Sequence, residues 1–299
     1  MTERKSIFKV AGIGEILWDM LPDGKKLGGA PANFAYHAGA LGAESYAISA
    51  VGEDSLGNEI LDQLARNNLT VEYIEKSMTH PTGTVDVQLD ENGKPDFTIH
   101  QDVAWDYISF PAHVADLAGK LDAICFGSLA QRSDISRKSI HQVLEATPSN
   151  CLRIFDINLR QMYYNDMIIE KSLQQANCFK LNEDEFPIVA EMFGLQGSEE
   201  EILEKFLMNF DLQIIALTKG AEGSILYTGK DSSFVKSAKV EVIDTIGAGD
   251  SFTAAMAVGL LRDLPLKTIH EQATNLSAFV CTQNGAMPVI PKAIIENFI

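Results

Sequence analysis

Residues 244–261 read DTIGAGDSFTAAMAVGLL. Three small residues, Gly247, Ala248 and Gly249, precede a carboxylate, Asp250, and an apolar run of good helix formers follows. If a helix starts near Ala248, its first N–H groups have no intrahelical acceptor and point into the loop. The helix dipole adds partial positive charge there, and small residues let a ligand approach the backbone closely. Such a loop is an anion cradle suited to phosphate. A plain strand-to-helix turn with a helix-start acid accounts for the same residues. In either case the dipole predicts a low pKa for Asp250, ionised at pH 7.

Further groups fit that chemistry. In LWDMLPDGKKLGGAPANFAYHAGALG, Asp19 follows the first strand candidate and Gly28-Gly29 comes next. Asn33 lies on a helix opened by Pro31, a residue suited to a first helical turn. A carboxylate, two bare backbone amides and an amide side chain suit a ligand with many hydroxyls; a glycine turn and a capping Asp are the structural alternative. In KLNEDEF, Asn182 and Glu185 stand three apart after a strand and share a face of a helical turn. They suit the water shell of a phosphate-bound Mg²⁺, or a helix N-terminus. TKGAEG, Thr218 to Gly223, is a glycine-containing turn between strands. DINLR places Asp156, Asn158 and Arg160 past another strand, with Arg160 as the expected positive charge of the cleft.

These groups need a scaffold that lines up strand ends. Strands are predicted at 8–16, 45–51, 122–127, 152–157, 177–181, 213–218 and 223–228, all rich in Ile, Val and Leu as in strands buried on both faces. Helical patterns lie between them, as in EDSLGNEILDQLARNN, where Leu56, Ile60, Leu61 and Leu64 share a face and Asn67-Asn68 stops the helix. RKSIHQVLEAT, EEEILEKFLMNF and residues 268–284 read alike, with Gly285 expected as the last helix's C-cap. Alternation of this kind predicts a mostly parallel sheet with helices on both faces. Residues 72–105 break the pattern: two alternating runs around Glu91-Asn92-Gly93-Lys94 predict an antiparallel hairpin, read as a flap over a site. Its polar face, with Asp86, Gln88, Thr98 and His100, and its exposed edges predict a homodimer through this lid.

The chain has 299 residues, net charge −17 and a pI near 4.7. A uniformly acidic surface repels nucleic acid and anionic membrane, so neither is an expected partner. Cys125, Cys151, Cys178 and Cys281 are widely spaced without a CxxC or CxxH pair and read as reduced structural thiols. No leader or membrane-spanning run is apparent, and the chain reads as cytoplasmic.

In order along the chain, GGAPAN, NEDE, TKGAEG and DTIGAGDSF resemble the ribokinase-like (PfkB) carbohydrate kinases, over roughly residues 10–292. GEILWDMLP…GGAPANFA looks most like the fructokinase branch. The resemblance implies a single domain, 1–299: a three-layer α/β/α fold with a β-sheet lid from 14–27 and 72–105. It implies an ATP- and Mg²⁺-dependent sugar kinase, most like one making fructose 6-phosphate. Asp250 would be the base, with Gly247, Ala248 and Gly249 as the anion hole. Asp19, Gly28, Gly29, Asn33 and Gln131 would contact the sugar, with Arg160 beside them. Asn182 and, through water, Glu185 would organise Mg²⁺ and phosphates. Thr218, Lys219, Gly220, Ala221, Glu222, Gly223 and Asn275 would line the nucleotide. A K⁺ site would match Asp244, Ile246, Val280, Gln283 and Gly285; the chain departs from the ribokinase pattern at Val289, where a hydroxyl ligand can stand.

Within the family, 2-keto-3-deoxygluconate kinase is the alternative, since Arg160 could pair with a sugar-acid carboxylate; other sugar and nucleoside kinases are further ones. From other classes, a catalytically silent sugar-binding regulator should have lost the acid or the glycines, and both are present. A dinucleotide oxidoreductase fails on AGIGEIL, where Glu15 and Ile16 replace the small residues of GxGxxG.

Overall fold

Short Ile/Val/Leu-rich runs cannot satisfy their backbone alone, and here they assemble into one large sheet. The computed structural model describes residues 7–22, 24–89 and 95–298. Its strands are β1 (Lys9–Ile13), β2 (Leu17–Leu21), β3 (Gly24–Gly28), β4 (Glu44–Gly52), β5 (Ile74–Ser77), β6 (Gly83–Leu89), β7 (Pro95–Ile99), β8 (Ala123–Phe126), β9 (Leu152–Asp156), β10 (Cys178–Asn182), β11 (Ile214–Thr218), β12 (Ser224–Tyr227) and β13 (Ser232–Val235). The helices are α1 (Ala30–Ala40), α2 (Ser55–Arg66), α3 (Ala112–Ala118), α4 (Asp134–Ala146), α5 (Asp166–Gln175), α6 (Glu185–Met192), α7 (Glu199–Phe210), α8 (Ala248–Leu261), α9 (Leu266–Cys281) and α10 (Lys292–Ile295).

Nine strands form the large sheet in the order β13-β12-β11-β10-β9-β8-β1-β4-β5. All its pairs from β5 to β11 are parallel; β12 and β13 add antiparallel strands at one edge. Side chains alternate between two cores. Val10, Ile154, Cys178 and Ile214 pack with α1, α8 and α9. Ala11, Phe155, Phe179 and Ile215 pack with α3 to α7. Both faces are covered, so the strands read as continuous apolar runs. The α/β/α layering and mostly parallel sheet expected from the sequence are what the chain forms.

A second sheet, β3-β2-β6-β7, stands beside the first. The hairpin β6–β7 is antiparallel, and β6 runs parallel to β2. Its expected turn, 91–94, lies outside the described residues, as does the side chain of Gln88. Residues 72–105 do not all belong to this sheet. Ile74–Ser77 pairs with β4 at the edge of the large sheet, and Trp105, fully buried, joins the main core. Ile74 and Trp105 supply apolar burial that a thin flap cannot offer. Val85, Val87 and Ile99 are buried on one face of the hairpin. Asp86 and His100 lie on the other, hydrogen-bonded at 2.9 Å. The β7 edge is partly covered from within the chain, where Phe97 O and Ile99 O accept from Gln161 Nε2 and Tyr163 Oη.

Helix α9 stops at Cys281 with Thr282 as its cap. Gly285 takes φ +75° three residues beyond, so it shapes the following turn and does not end the helix. Among the described residues no helix is long and apolar enough to cross a membrane.

Candidate active site

The candidate site is built where helix α8 begins. Its N-cap, Gly247, takes φ +79°, a conformation that favours glycine. A Cβ there would also lie 2.8 Å from Ala286. Ala248 N bonds Thr245 O at 3.3 Å and Ser251 N bonds Gly247 O at 2.9 Å. The N–H groups of Gly249 and Asp250 have no backbone acceptor among the described residues. This is the free-donor arrangement that the sequence called for at an anion cradle. His37, fully buried on α1, bonds Ala286 O at 2.8 Å and holds the neighbouring loop in place. Burial pushes this imidazole down to about 4, so at neutral pH it is uncharged and its Nε2–H donates.

Asp250 is half-buried. Its Oδ2 accepts from Asn33 Nδ2 at 2.7 Å, which joins α1 to α8. Its pKa is not low. Burial, and then the charge of Asp156, push it up to about 6, against the pull of Asn33, Lys180 and Arg160. The dipole argument considered only the helix; desolvation and a second carboxylate from β9 outweigh it. Asp250 still ionises at pH 7.

Asp19 projects from β2, and a Cβ on Gly28 would come within 2.7 Å of its Oδ2. Gly29, at φ +121°, packs where a Cβ would strike Glu15 O at 2.4 Å. The two glycines therefore let β3 pass close to Asp19 and Glu15. Burial raises Asp19 to about 6 and Glu15 to about 7. Glu15 Oε2 and Asn33 Oδ1 are buried without a partner, two open hydrogen-bonding positions in the same region as Asp250. Asp19, Gly28, Gly29, Asn33 and the 247–250 segment thus come together.

Gln131 does not join them. It is fully buried, and its amide donates to Gly127 O and Ser172 Oγ, both at 2.8 Å. The short helical turn at 129–132 directs this side chain toward α5. Arg160 is exposed and bonds within its own loop, to Leu159 O and Asn158 Oδ1. Its charge nonetheless reaches Glu15, Asp19 and Asp250.

Where the resemblance implies the nucleotide, Thr218 ends β11, and residues 220–222 form a short turn closed by Lys219 N to Gly223 O, 2.8 Å. Gly220 and Gly223 both take positive φ. Ala221 and Glu222 are exposed, as is Asn275 on α9. Lys219 is ion-paired to Glu199 at 2.7 Å. Asn182 and Glu185 make the helix-start arrangement that was their structural alternative. Asn182 Oδ1 accepts from the N–H groups of Asp184 and Glu185, and Glu185 returns to Asn182 N at 2.8 Å and Leu159 N at 2.9 Å. Glu185 is buried with both oxygens engaged, which does not fit a direct Mg²⁺ ligand. Among the described residues, no group of three His, Cys, Asp or Glu is placed to hold a metal.

The Asp244 carboxylate, one of the expected K⁺ ligands, accepts from Lys26 Nζ (2.8 Å), Ile246 N and Gly285 N (both 3.1 Å). Lys26 thus balances the charge that a cation would meet. Val280 is fully buried, its carbonyl taken by Gln283 N, and the Gln283 amide donates to Thr282 Oγ1. Val289 is 87% exposed.

Sequence reasoning missed Lys180. It sits on β10 with its side chain 5% exposed, ion-paired to Asp156 at 3.0 Å. A Cβ on Gly249 would lie 3.1 Å from its Nζ. The signal was a lysine inside the apolar run CFKLN. A charge in a strand buried on both faces needs a partner in the core.

The profile of the pfkB family carbohydrate kinase matches residues 23–293. A fructokinase of Escherichia coli is 28% identical over 305 residues, spanning 95% of this chain and 96% of that protein. The structure of a sugar kinase of Pyrococcus horikoshii in complex with ATP superposes with a TM-score of 0.82 at 27% identity, over 97% of this chain and 100% of that one. A Vibrio cholerae fructokinase, solved with fructose, ADP and calcium ion, shares the fold with a TM-score of 0.79 at 24% identity, over 98% and 99%. With a cradle at the start of α8, a carboxylate beside it and this family profile along nearly its whole length, the chain belongs to the pfkB family of carbohydrate kinases.

Proposed function

We propose that the chain is a fructokinase, transferring the γ-phosphate of ATP to fructose to give fructose 6-phosphate. The observation that carries the mechanism is the 2.7 Å bond from Asn33 to Asp250, which joins the polar α1 side of the cleft to the α8 cradle. Asp19, Asn33 and the backbone at Gly28-Gly29 hold sugar hydroxyls, and Glu15 Oε2 offers a further position. The N–H groups of Gly249 and Asp250 receive the migrating phosphoryl group, and Asp250 takes the hydroxyl proton late. A loose transition state makes little early demand on that proton, so a base of pKa about 6 suffices. The turn at 218–223 and Asn275 flank the nucleotide. Mg²⁺ travels with the ATP phosphates, since Glu185 reaches it at most through water. The choice of fructose rests on the E. coli relative. Turnover of fructose, ribose, 2-keto-3-deoxygluconate and adenosine, measured side by side, tests it; fructose is expected to give the highest kcat/KM.

Arg160 favours one second reading. It is exposed, and among the described residues no carboxylate is bonded to it, which suits an anionic sugar. If fructose is the substrate, Arg160→Ala is expected to have a small and equal effect on KM for both sugars. A 2-keto-3-deoxygluconate kinase would instead show a raised KM for the sugar acid alone. KM for both sugars in wild type and variant decides.

The lid supplies a further expectation. Phe97 remains 46% exposed at the β7 edge. A homodimer through this sheet is the expected state at micromolar concentration, read by sedimentation; monomer alone would leave the face to solvent.

A further inference from the structure

Beneath the cradle the sheet carries a charge for which the residues discussed so far have no use. Asp156 ends β9 and Lys180 lies on neighbouring β10, and both side chains point toward α8. Lys180 Nζ donates to Asp156 Oδ1 at 3.0 Å. Thr253 Oγ1, one turn into α8, lies 2.9 Å from Asp156 Oδ2 and 3.0 Å from Gly249 O. The ammonium has three N–H donors, and Asp156 is its one bonded partner among the described residues. The position a Gly249 side chain would take is 3.1 Å from Nζ. A buried lysine whose donors are mostly free, at the point where a helix opens onto a phosphate cradle, is costly unless its charge is used.

We propose that Lys180 is a positioning residue for phosphoryl transfer, its charge acting from behind Gly249 on the transferred group and on Asp250. The proposal rests on the kinase reading of this cleft. In the step, the bond from the γ-phosphorus to the β,γ-bridging oxygen breaks, and its electron pair stays on ADP. A new bond forms to the sugar oxygen, whose proton passes to Asp250. Lys180 keeps its proton throughout. Burial alone would push its ammonium down, but the charges of Asp156 and Glu185 and the bond to Asp156 hold it above the ordinary lysine range. Glycine at 249 leaves room for this approach, and Thr253 ties Asp156 to the same helical turn.

The groups facing Asp250 set the sign of the test. They are Glu15 beyond β1, Cys125 on β8, Asp156 and Arg160 from β9 and its loop, and Lys180; Glu185 of α6 also faces Lys180. Lys180 lowers the Asp250 pKa and Asp156 raises it. Lys180→Met should therefore move the acid limb of kcat to higher pH and lower its plateau at least about tenfold, less than the 10²–10³ of a direct donor. The double variant Asp156→Asn/Lys180→Met removes both charges. It should return the limb toward wild type and leave the plateau low. A neutral pair of similar volume is tolerated in a core, so the double variant carries the test even if the single one does not fold. A double variant with the wild-type plateau would mean that Lys180 only neutralises Asp156, and the proposal fails. A folded Lys180→Met with unchanged plateau and limb defeats it equally. Wild-type protein that turns over no sugar would instead sink the kinase reading.

Discussion

Asp250→Asn is expected to lower kcat by about 10²–10⁴-fold with sugar and ATP binding largely kept, and to melt at a higher temperature than the wild type at pH 8. Asparagine keeps the oxygen that Asn33 donates to, so the link between α1 and α8 survives. It cannot accept the hydroxyl proton, so the chemistry is lost. The stability change follows from the raised pKa. Asp250 moves from an ordinary 3.8 to about 6 on folding, so the folded state favours the protonated form. That contribution is fully present below pH 4 and is lost as pH rises through about 6. Asparagine imitates the protonated form at every pH. The gap in melting temperature should therefore be widest at pH 8 and close toward pH 4. Wild-type turnover should fall over the same window as the base is protonated, with Glu15 and Asp19 titrating nearby. A variant that keeps more than about a tenth of wild-type turnover would return Asp250 to the role of a helix-start acid. One that melts lower at pH 8 would contradict the buried, repelled carboxylate.

Gly247→Ala should lower kcat by about 100-fold or more while sugar affinity changes little. Two costs coincide there. A left-handed φ of +79° costs a non-glycine residue about 1–2 kcal/mol. The added Cβ would also meet Ala286 at 2.8 Å, on a loop that cannot retreat freely because His37 holds its carbonyl. The chain must relieve the contact by moving the first turn of α8. That turn presents the N–H groups of Gly249 and Asp250, and a displacement near 1 Å at a reacting group can cost about 10²-fold. Asp19, Gly28 and Gly29 lie on other elements and stay in place. The split is read by kcat together with a direct sugar-binding measurement. Near-normal turnover would show that the cradle is not at this turn. An equal loss of sugar binding would show that the whole cleft had collapsed.

Much of this protein was legible as a string, because some features depend only on neighbours in sequence. Strands buried on both faces read as apolar runs, and each predicted run overlaps an observed strand. The start of α8 at Ala248 followed from three small residues before a run of helix formers. The order of four short motifs was enough to point to the family. Other features depend on groups far apart in the chain, and the tertiary structure alone decided them. Asn33 meets Asp250 across 217 positions. The local dipole predicted a low pKa for Asp250; burial and Asp156, brought in by β9, reversed its direction. The resemblance implies a sugar contact for Gln131, but a helical turn directs its amide to Ser172 in the core. Asn182 and Glu185 bonded to each other's backbone around the start of α6, a choice between cap and metal shell that spacing leaves open. Lys180 stood in plain view inside CFKLN, but its partner, its depth and its place behind Gly249 exist only once β9, β10 and α8 are packed together, because electrostatics in a core is set by distance in space and by excluded water.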